Sequence, residues 1–425
     1  MIDRRTFMAS VAVLAAIGRG DLRARTRAAI IGAWSGAVDH RSATVKVLTQ
    51  TAGVPVTLSL ATGGAPVRVV TATSDGHRIA TFVLGDLTER TRYRYSLEAQ
   101  GEAAVEGSFR TFGIGPWSFR VVFASCAETG SSSPVFTAMR QLEPDLFVHM
   151  GDLHYEDIGI ADPSRFRRAY DAVLSSPTQS ALLRSVPIAY TWDDHDFGPN
   201  NADRTSRGRL AALRMYRSVV PHYPIDGGDD SPISQAFTVG RVRFVMTDVR
   251  SMRDPRRVPE AQRGMLGASQ VAWLTAQFDA AASAPLVVWV NTVPWITKGN
   301  ERSKEGWAPY ARERRQIADV IARTGLTSRL VMLSGDAHML ALDDGTNSQY
   351  STLASAPRRG FIVAHAAPMD RRTSTKGGPY THPPAMANGQ FGVLDVTDEG
   401  GRIGVRIQGM RGSAPVAGMR IEVVL

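Results

Sequence analysis

Chemistry-bearing side chains in this sequence recur directly after short apolar runs. Phe119–Phe123 is followed by Ala124-Ser125-Cys126-Ala127-Glu128, and Leu146–Met150 by Gly151-Asp152-Leu153-His154-Tyr155-Glu156-Asp157. Pro187–Trp192 leads into Asp193-Asp194-His195-Asp196 and then Asn200-Asn201. Val242–Thr247 leads into Asp248-Val249-Arg250, Val287–Val290 into Asn291, and Leu330–Leu333 into Ser334-Gly335-Asp336-Ala337-His338. Carboxylates, amides and a phenol are hard oxygen donors, whereas thiolate and imidazole hold transition metals. Three carboxylates in four residues repel one another wherever they converge, unless cations neutralise them. The expected chemistry is therefore metal-assisted. Cys126 also reads as a small buried apolar residue, and Arg250 as a partner of Asp248 or of the acidic tetrad; these readings stay open beside ligand and phosphate contact.

The apolar runs alternate with helical stretches at Pro134–Leu142, Arg207–Val219, Ser269–Ala282 and Ala311–Thr324, which predicts an α/β domain. In open α/β sheets ligands bind beyond the carboxyl ends of strands. Phe391–Val396 and Ile403–Ile407 predict a hairpin, Met419–Leu425 another strand, and the Pro- and Gly-rich Pro357–Asn388 a long surface loop. Residues 30–112 differ: short alternating segments such as Thr91-Arg92-Tyr93-Arg94-Tyr95 are separated by Gly-rich turns, the pattern of a β-sandwich. The linker Gly113-Ile114-Gly115-Pro116 sets domains at 28–113 and 117–425.

The chain has 425 residues, one cysteine and a net charge of +9. One cysteine excludes an intramolecular disulfide framework. The charge is diffuse and partly N-terminal, so no specific nucleic-acid recognition is expected, and no apolar run is long enough to span a bilayer. Arg4-Arg5 before the apolar stretch Phe7–Gly18 resembles a twin-arginine signal over residues 1–27. This predicts the twin-arginine export machinery as a partner and a periplasmic or secreted location. There is no Ser-His-Asp elbow and no phosphate-cradling Gly-Lys-Ser/Thr loop.

The order of these blocks resembles the calcineurin-like metallophosphatases, and among them the PhoD-type alkaline phosphatases and phosphodiesterases. Ala124-Ser125-Cys126, Gly151-Asp152-x-x-Tyr155, Asp193-Asp194-His195-Asp196 with Asn200, and Asp248-x-Arg250 carry the likeness. So do Leu266-Gly267 with Gln270, Trp307-x-x-Tyr310-x-x-Glu313-Arg314, and Ser334-Gly335-Asp336-x-His338. The superfamily's opening Asp-x-His is replaced by Ser125-Cys126, and Asp196 stands where many relatives carry Glu. The resemblance implies a two-layered β-sandwich flanked by helices, preceded by a fibronectin type III-like or immunoglobulin-like sandwich. It implies Fe3+ and Ca2+ with Cys126, Asp152 and Tyr155 as ligands, Asp194 and Asp336 where further ligands fall, Asn200 as a hard-ion ligand or phosphate donor, and His195 facing the substrate. The residue types themselves offer His338 as a further ligand or the partner of one, and Arg250 to a phosphate. The implied activity is hydrolysis of a phosphate ester, either a small-molecule monoester or a phospholipid or nucleotide diester. A phosphodiesterase or phospholipase of the same fold, and a degenerate envelope binding protein, are the alternatives.

Overall fold

The computed structural model describes residues 29–297 and 305–425; the predicted export signal lies outside the described residues. Strands run in chain order as β1 (Ile30–Gly36), β2 (Ala43–Thr49), β3 (Pro55–Thr62), β4 (Ala65–Thr73), β5 (Ile79–Leu84), β6 (Arg92–Glu98) and β7 (Val105–Arg110). There follow β8 (Phe119–Ala124), β9 (Leu146–Met150), β10 (Ile188–Thr191), β11 (Gln235–Val239), β12 (Val242–Met246), β13 (Leu286–Val290) and β14 (Leu330–Ser334). The last six are β15 (Leu340–Asp343), β16 (Ile362–Ala366), β17 (His382–Ala385), β18 (Gln390–Asp398), β19 (Ile403–Arg411) and β20 (Ala414–Val424). The helices are α1 (Pro134–Gln141), α2 (Pro163–Ser175), α3 (Pro177–Ser185), α4 (Asp194–Phe197), α5 (Arg209–Val219), α6 (Gly267–Ala280) and α7 (Ala311–Arg323).

Two large sheets face one another. One orders its strands β20-β19-β18-β8-β9-β10-β1-β2-β5, the other β11-β12-β13-β14-β16-β15-β17. Their inner faces share one core, in which Val121, Val148, Val288, Leu333 and Leu394 are buried. α1, α2, α3 and α5 cover the outer face of the first sheet, and α6 and α7 that of the second. β9, β13 and β14 are buried at every position, so their sequences are continuous apolar runs rather than alternating ones. α1, α2 and α3 each start from a Ser or Asp cap followed by Pro: Ser133-Pro134, Asp162-Pro163 and Ser176-Pro177. The cap side chain accepts a first-turn N–H, and Pro fits where that turn has no bond to lose.

The N-terminal β-domain packs β4-β3-β6-β7 as one layer, while β1, β2 and β5 extend the nine-stranded sheet. The join is a parallel pairing of β1 with β10, at Gly36 and Ile188. The predicted surface loop over Pro357–Asn388 is corrected in part. Ile362–Ala366 is a strand bonded in parallel to β14, and four of its five residues are buried. Its short apolar run was masked by the flanking Pro, Gly and Arg. No described helix is long and apolar enough to cross a membrane.

Candidate metal centre

β8, β9 and β14 end at the same rim, and each delivers its acidic residue through one sharp turn. Cys126, Asp152 and Asp336 all take left-handed backbone angles, φ 66°, 56° and 67°. That region is unfavourable for residues with a Cβ, and held at a site it costs about 1–3 kcal/mol each. Two glycines let the turns approach. A Cβ on Gly151 would meet Asp193 Cβ at 2.5 Å, and one on Gly335 would meet Ser125 Oγ at 2.6 Å. Asp196 fixes the Asp152 turn. Its Oδ2 accepts the N–H groups of Asp152 (2.6 Å) and Asp193 (3.0 Å), and its Oδ1 those of Leu153 (2.6 Å) and His154 (3.1 Å).

Four donors meet above β8 and β9. Tyr155 Oη donates to Asp152 Oδ2 at 2.7 Å, Cys126 Sγ lies 3.5 Å from the same oxygen, and His338 Nε2 lies 3.2 Å from Tyr155 Oη. His338 Nδ1 bonds the Arg372 carbonyl. A carbonyl only accepts, so Nδ1 carries the hydrogen and Nε2 presents its lone pair to the cluster, the tautomer that ligates. Beside this set, carboxylate oxygens of Asp193, Asp194 and Asp336 come within 4.8 Å of one another, as do ligand atoms of Asp152, Asp194 and His195. Asp152 Oδ1, Asp193 Oδ2, Asp194 Oδ1 and Asp336 Oδ2 are buried without a hydrogen-bond partner.

The electrostatics follow from that crowding. Burial pushes the Cys126 thiol far up, with the Asp152 charge adding to it. Burial raises Asp152 as well, reinforced by Asp194, Asp193 and Asp196. Tyr155 is raised by burial, Asp152 and Cys126. Asp336 rises to about 8 through burial, although the Lys376 ammonium opposes the shift. Burial pushes Asp194 up, but Arg250 and His195 outweigh it and bring it to about 2. Acids that cannot all ionise together, with oxygens aimed at no donor, fit cations: a bound cation displaces the protons and satisfies the oxygens. Thiolate, phenolate and imidazole suit a transition metal, and the all-carboxylate set a hard ion.

His195 opens α4. Its Nδ1 lies 2.6 Å from Asp157 Oδ1, and its ring lies 4.1 Å from that of Tyr155. Nδ1–H donates to the carboxylate, which leaves Nε2 as the working nitrogen. Asp157 carries no apolar or strand signal of its own in the sequence, and only the fold brings it to His195.

Two sequence expectations are corrected. Arg250 is fully buried, its Nε 2.5 Å from Asp193 Oδ1 and its Nη2 3.5 Å from Asp194 Oδ1, so it neutralises the tetrad instead of reaching a substrate. Asn200 is exposed; the following residue, Asn201, has the buried amide oxygen without a partner, and its N–H donates to Asp194 Oδ2 at 2.6 Å. Asn291 is taken up by protein, accepting from Trp307 Nε1 at 3.0 Å and donating to the Val293 carbonyl at 2.6 Å. Glu313 accepts the N–H groups of Met265 and Leu266, and Gln270 bonds the Asp248 backbone in both directions. The later sequence blocks thus brace the rim rather than act on it.

The family model of the PhoD-like phosphatases matches residues 121–363, more than half of the chain. The chain belongs to the PhoD-like phosphatase family. Family membership makes it a phosphoesterase, and the candidate ligand clusters accord with a metal-dependent one. No curated protein matches it in sequence. Among solved structures it is similar to that titled "Structure of PhoD", with 18% identity, TM-score 0.71, and coverage of 93% of this chain and 88% of that one. It is also similar to the purple acid phosphatase PPD1 from yellow lupin (Lupinus luteus) seeds, with 12% identity, TM-score 0.64, and coverage of 92% and 74%. At these identities the two likenesses speak for the fold.

Proposed function

We propose that this phosphoesterase is an exported alkaline phosphatase D-like enzyme that hydrolyses phosphate mono- or diesters, with Fe3+ and Ca2+ as its resident ions. One observation carries the reading: Cys126, Tyr155, Asp152 and His338 converge within hydrogen-bonding range, three of them acids that burial keeps protonated unless a cation is present. Anionic sulfur and phenolate donors suit the ferric ion. Asp194, Asp336 and the Asn201 amide oxygen suit calcium, with Asp152 placed between the two sets. Bound ions supply Lewis acidity, a hydroxide nucleophile near neutral pH and charge neutralisation on phosphoryl oxygens.

The chain's own residues do the rest. Asp196 and Gly151 hold the Asp152 turn, and Arg250 pairs with Asp193 and Asp194 side by side, keeping Asp194 ionised and opposing the rise that burial imposes on Asp193. His195 holds a proton on Nε2 for the departing oxygen: as the phosphorus–oxygen ester bond breaks, that proton moves to the alkoxide and the alcohol leaves neutral. Asp157 keeps the other ring nitrogen protonated throughout. A degenerate binding protein would have no use for so many unpartnered buried carboxylate oxygens, each costly without an ion. Export in the folded state is part of the proposal, since it lets the ions load before crossing the membrane.

The test is elemental analysis of the purified full chain beside hydrolysis of a chromogenic phosphate monoester and diester. Iron and calcium with turnover of either ester are expected. Metal-free protein that stays inactive after reconstitution with both ions would overturn the reading. In the loaded enzyme a visible charge-transfer band is expected, and Tyr155→Phe should shift or abolish it.

A further inference from the structure

The family match ends at Val363, and the segment after β16 then crosses the mouth of the site. This strap, residues 369–380, is tied to both walls. Asp370 accepts the Glu128 N–H at 2.6 Å and bonds the Ser131 hydroxyl. Ser374 N donates to the His338 carbonyl at 3.2 Å, and Gly378 N to that of Ile296 at 2.7 Å. The strap carries three cations. Lys376 Nζ donates to Asp336 Oδ1 at 2.9 Å and pairs with Glu305, so two acids already hold it. Arg371 pairs with Glu128 and lays its guanidinium carbon 3.9 Å over the Tyr155 ring, the ring that also contacts His195. Arg372 is exposed and forms no ion pair with any described residue.

We propose that Arg371 and Arg372 form a subsite for a second anionic group of the substrate, so the preferred esters carry a carboxylate or further phosphate on the arm beside the phosphoryl group under attack. The inference rests on the phosphoesterase reading above. If the strap's charge served only to balance the rim acids, each cation would have a carboxylate. Lys376 has two and Arg371 one, which leaves Arg372, next to Arg371 in the chain, with no counter-charge among the described residues. Adjacent guanidiniums repel; an oxyanion between them relieves that repulsion and accepts forked N–H bonds. The position suits an arm and not the reacting group, because Arg371 lies over the face of the Tyr155 ring whereas it is the hydroxyl of that ring that meets Asp152.

The experiment compares two p-nitrophenyl phosphate diesters with one leaving group, the second arm being ethyl or carboxyethyl. For the metal-loaded full chain, kcat/KM should favour the carboxyethyl arm by roughly tenfold at low salt, carried by KM. Arg372→Gln should cut that ratio several-fold, and Arg371→Gln with Arg372→Gln should bring it near one. Arg372 is exposed, so its variant is expected to fold and keep its metal content. Calorimetric titration with ethyl and carboxyethyl phenylphosphonates gives the same comparison without turnover. A wild-type ratio of one, or a preference that survives both substitutions, overturns the subsite. Failure to hydrolyse either diester or a monoester counts against the phosphoesterase reading instead, and the titration still decides the subsite.

Discussion

Asp152 and Asp196 are carboxylates at the same depth, joined by one hydrogen bond, with opposite surroundings. Asp196 receives four backbone N–H groups on its two oxygens. Asp152 receives a phenol and a thiol on one oxygen and nothing on the other. Burial raises both: at Asp196 the four backbone N–H groups oppose the rise and hold it to about 7, whereas at Asp152 the neighbouring acids add to it. The difference separates residues that build the rim from residues that wait for a cation. It assigns Asp248 to the first class, since Trp192, Ile233, Arg250 and Ser251 all donate to it. Asp336, raised and with one bare oxygen, belongs to the second; Asp194 also has an oxygen without a hydrogen bond, but Arg250 Nη2 stands 3.5 Å from it and already keeps that acid ionised.

The largest expected effect falls on Asp152. Asp152→Ala should lose metal and activity together, taking turnover to background whatever the leaving group. The metal-free variant should nevertheless melt at or above the metal-free parent, because a buried, poorly partnered acid has gone. Asp196→Ala should do the reverse in the absence of metal, lowering the melting temperature as four N–H groups lose their acceptor. Elemental analysis and thermal melts in chelator read both. A metal-free Asp152→Ala protein that melts well below its parent would erase the distinction.

Next comes His195. His195→Ala should reduce kcat by roughly 10²–10⁴ on an alkyl ester, with iron and calcium retained. The loss should shrink with nitrophenolate, which needs little protonation. Asp157→Asn, which touches only the Nδ1 side, should give a smaller loss of the same kind. If His195→Ala lost metal in proportion to activity, the histidine would join the ligands.

These contrasts show what the sequence could and could not convey. The strand ends were legible because buried parallel strands read as unbroken apolar runs, and the polar residue after each run marks the rim. Which residues ligate and which brace was not, since Asp152 and Asp196 look alike until their partners are placed. Asn200 and Asn201 are adjacent, and only the turn decides which amide is buried. The strap was invisible for a different reason: Asp370 meets Glu128 across 242 positions, through a segment whose Pro, Gly and Arg content read as plain loop. The fusion of β1 to β10 likewise depends on a pairing between distant residues, to which local alternation gives no clue.

Arg250 sharpens the comparison from the cationic side. As a buried counter-ion it should matter to stability more than to substrate affinity. Arg250→Met leaves Asp193 and Asp194 without their guanidinium and should cost about 3–5 kcal/mol in denaturant unfolding of the metal-free chain. Added cations should recover part of that loss. A variant of unchanged stability but strongly raised KM would return Arg250 to the substrate.

The smallest effect is a slope with pH, and its sign is the informative part. In the folded chain Asp336 titrates at about 8, Asp196 at about 7, and Asp152 lies well above the ordinary carboxylate range, whereas all three lose their protons near pH 4 when unfolded. Between those values the native state binds more protons than the unfolded one, so stability falls as pH rises. Below about pH 6.5 the trend is masked, because His149, His154 and His365, each lowered to about 3 by burial, stabilise the fold as pH rises toward the unfolded histidine value. Above it those histidines are neutral in both states, and Asp194, lowered to about 2, is ionised in both. From about pH 6.5 to 8 the metal-free chain should therefore lose stability, each raised carboxyl contributing up to about 1.4 kcal/mol per pH unit. Loaded protein should show the slope flattened or reversed, since cations occupy the places of those protons and bind better as pH rises. Melts in chelator at pH 6.5, 7.2 and 8.0, repeated with iron and calcium, measure it. A metal-free chain that grows more stable across that window would mean that none of the raised carboxyls, Asp152, Asp196 and Asp336, holds a proton there, and the basis for choosing Asp152 and Asp336 as ligands would fail.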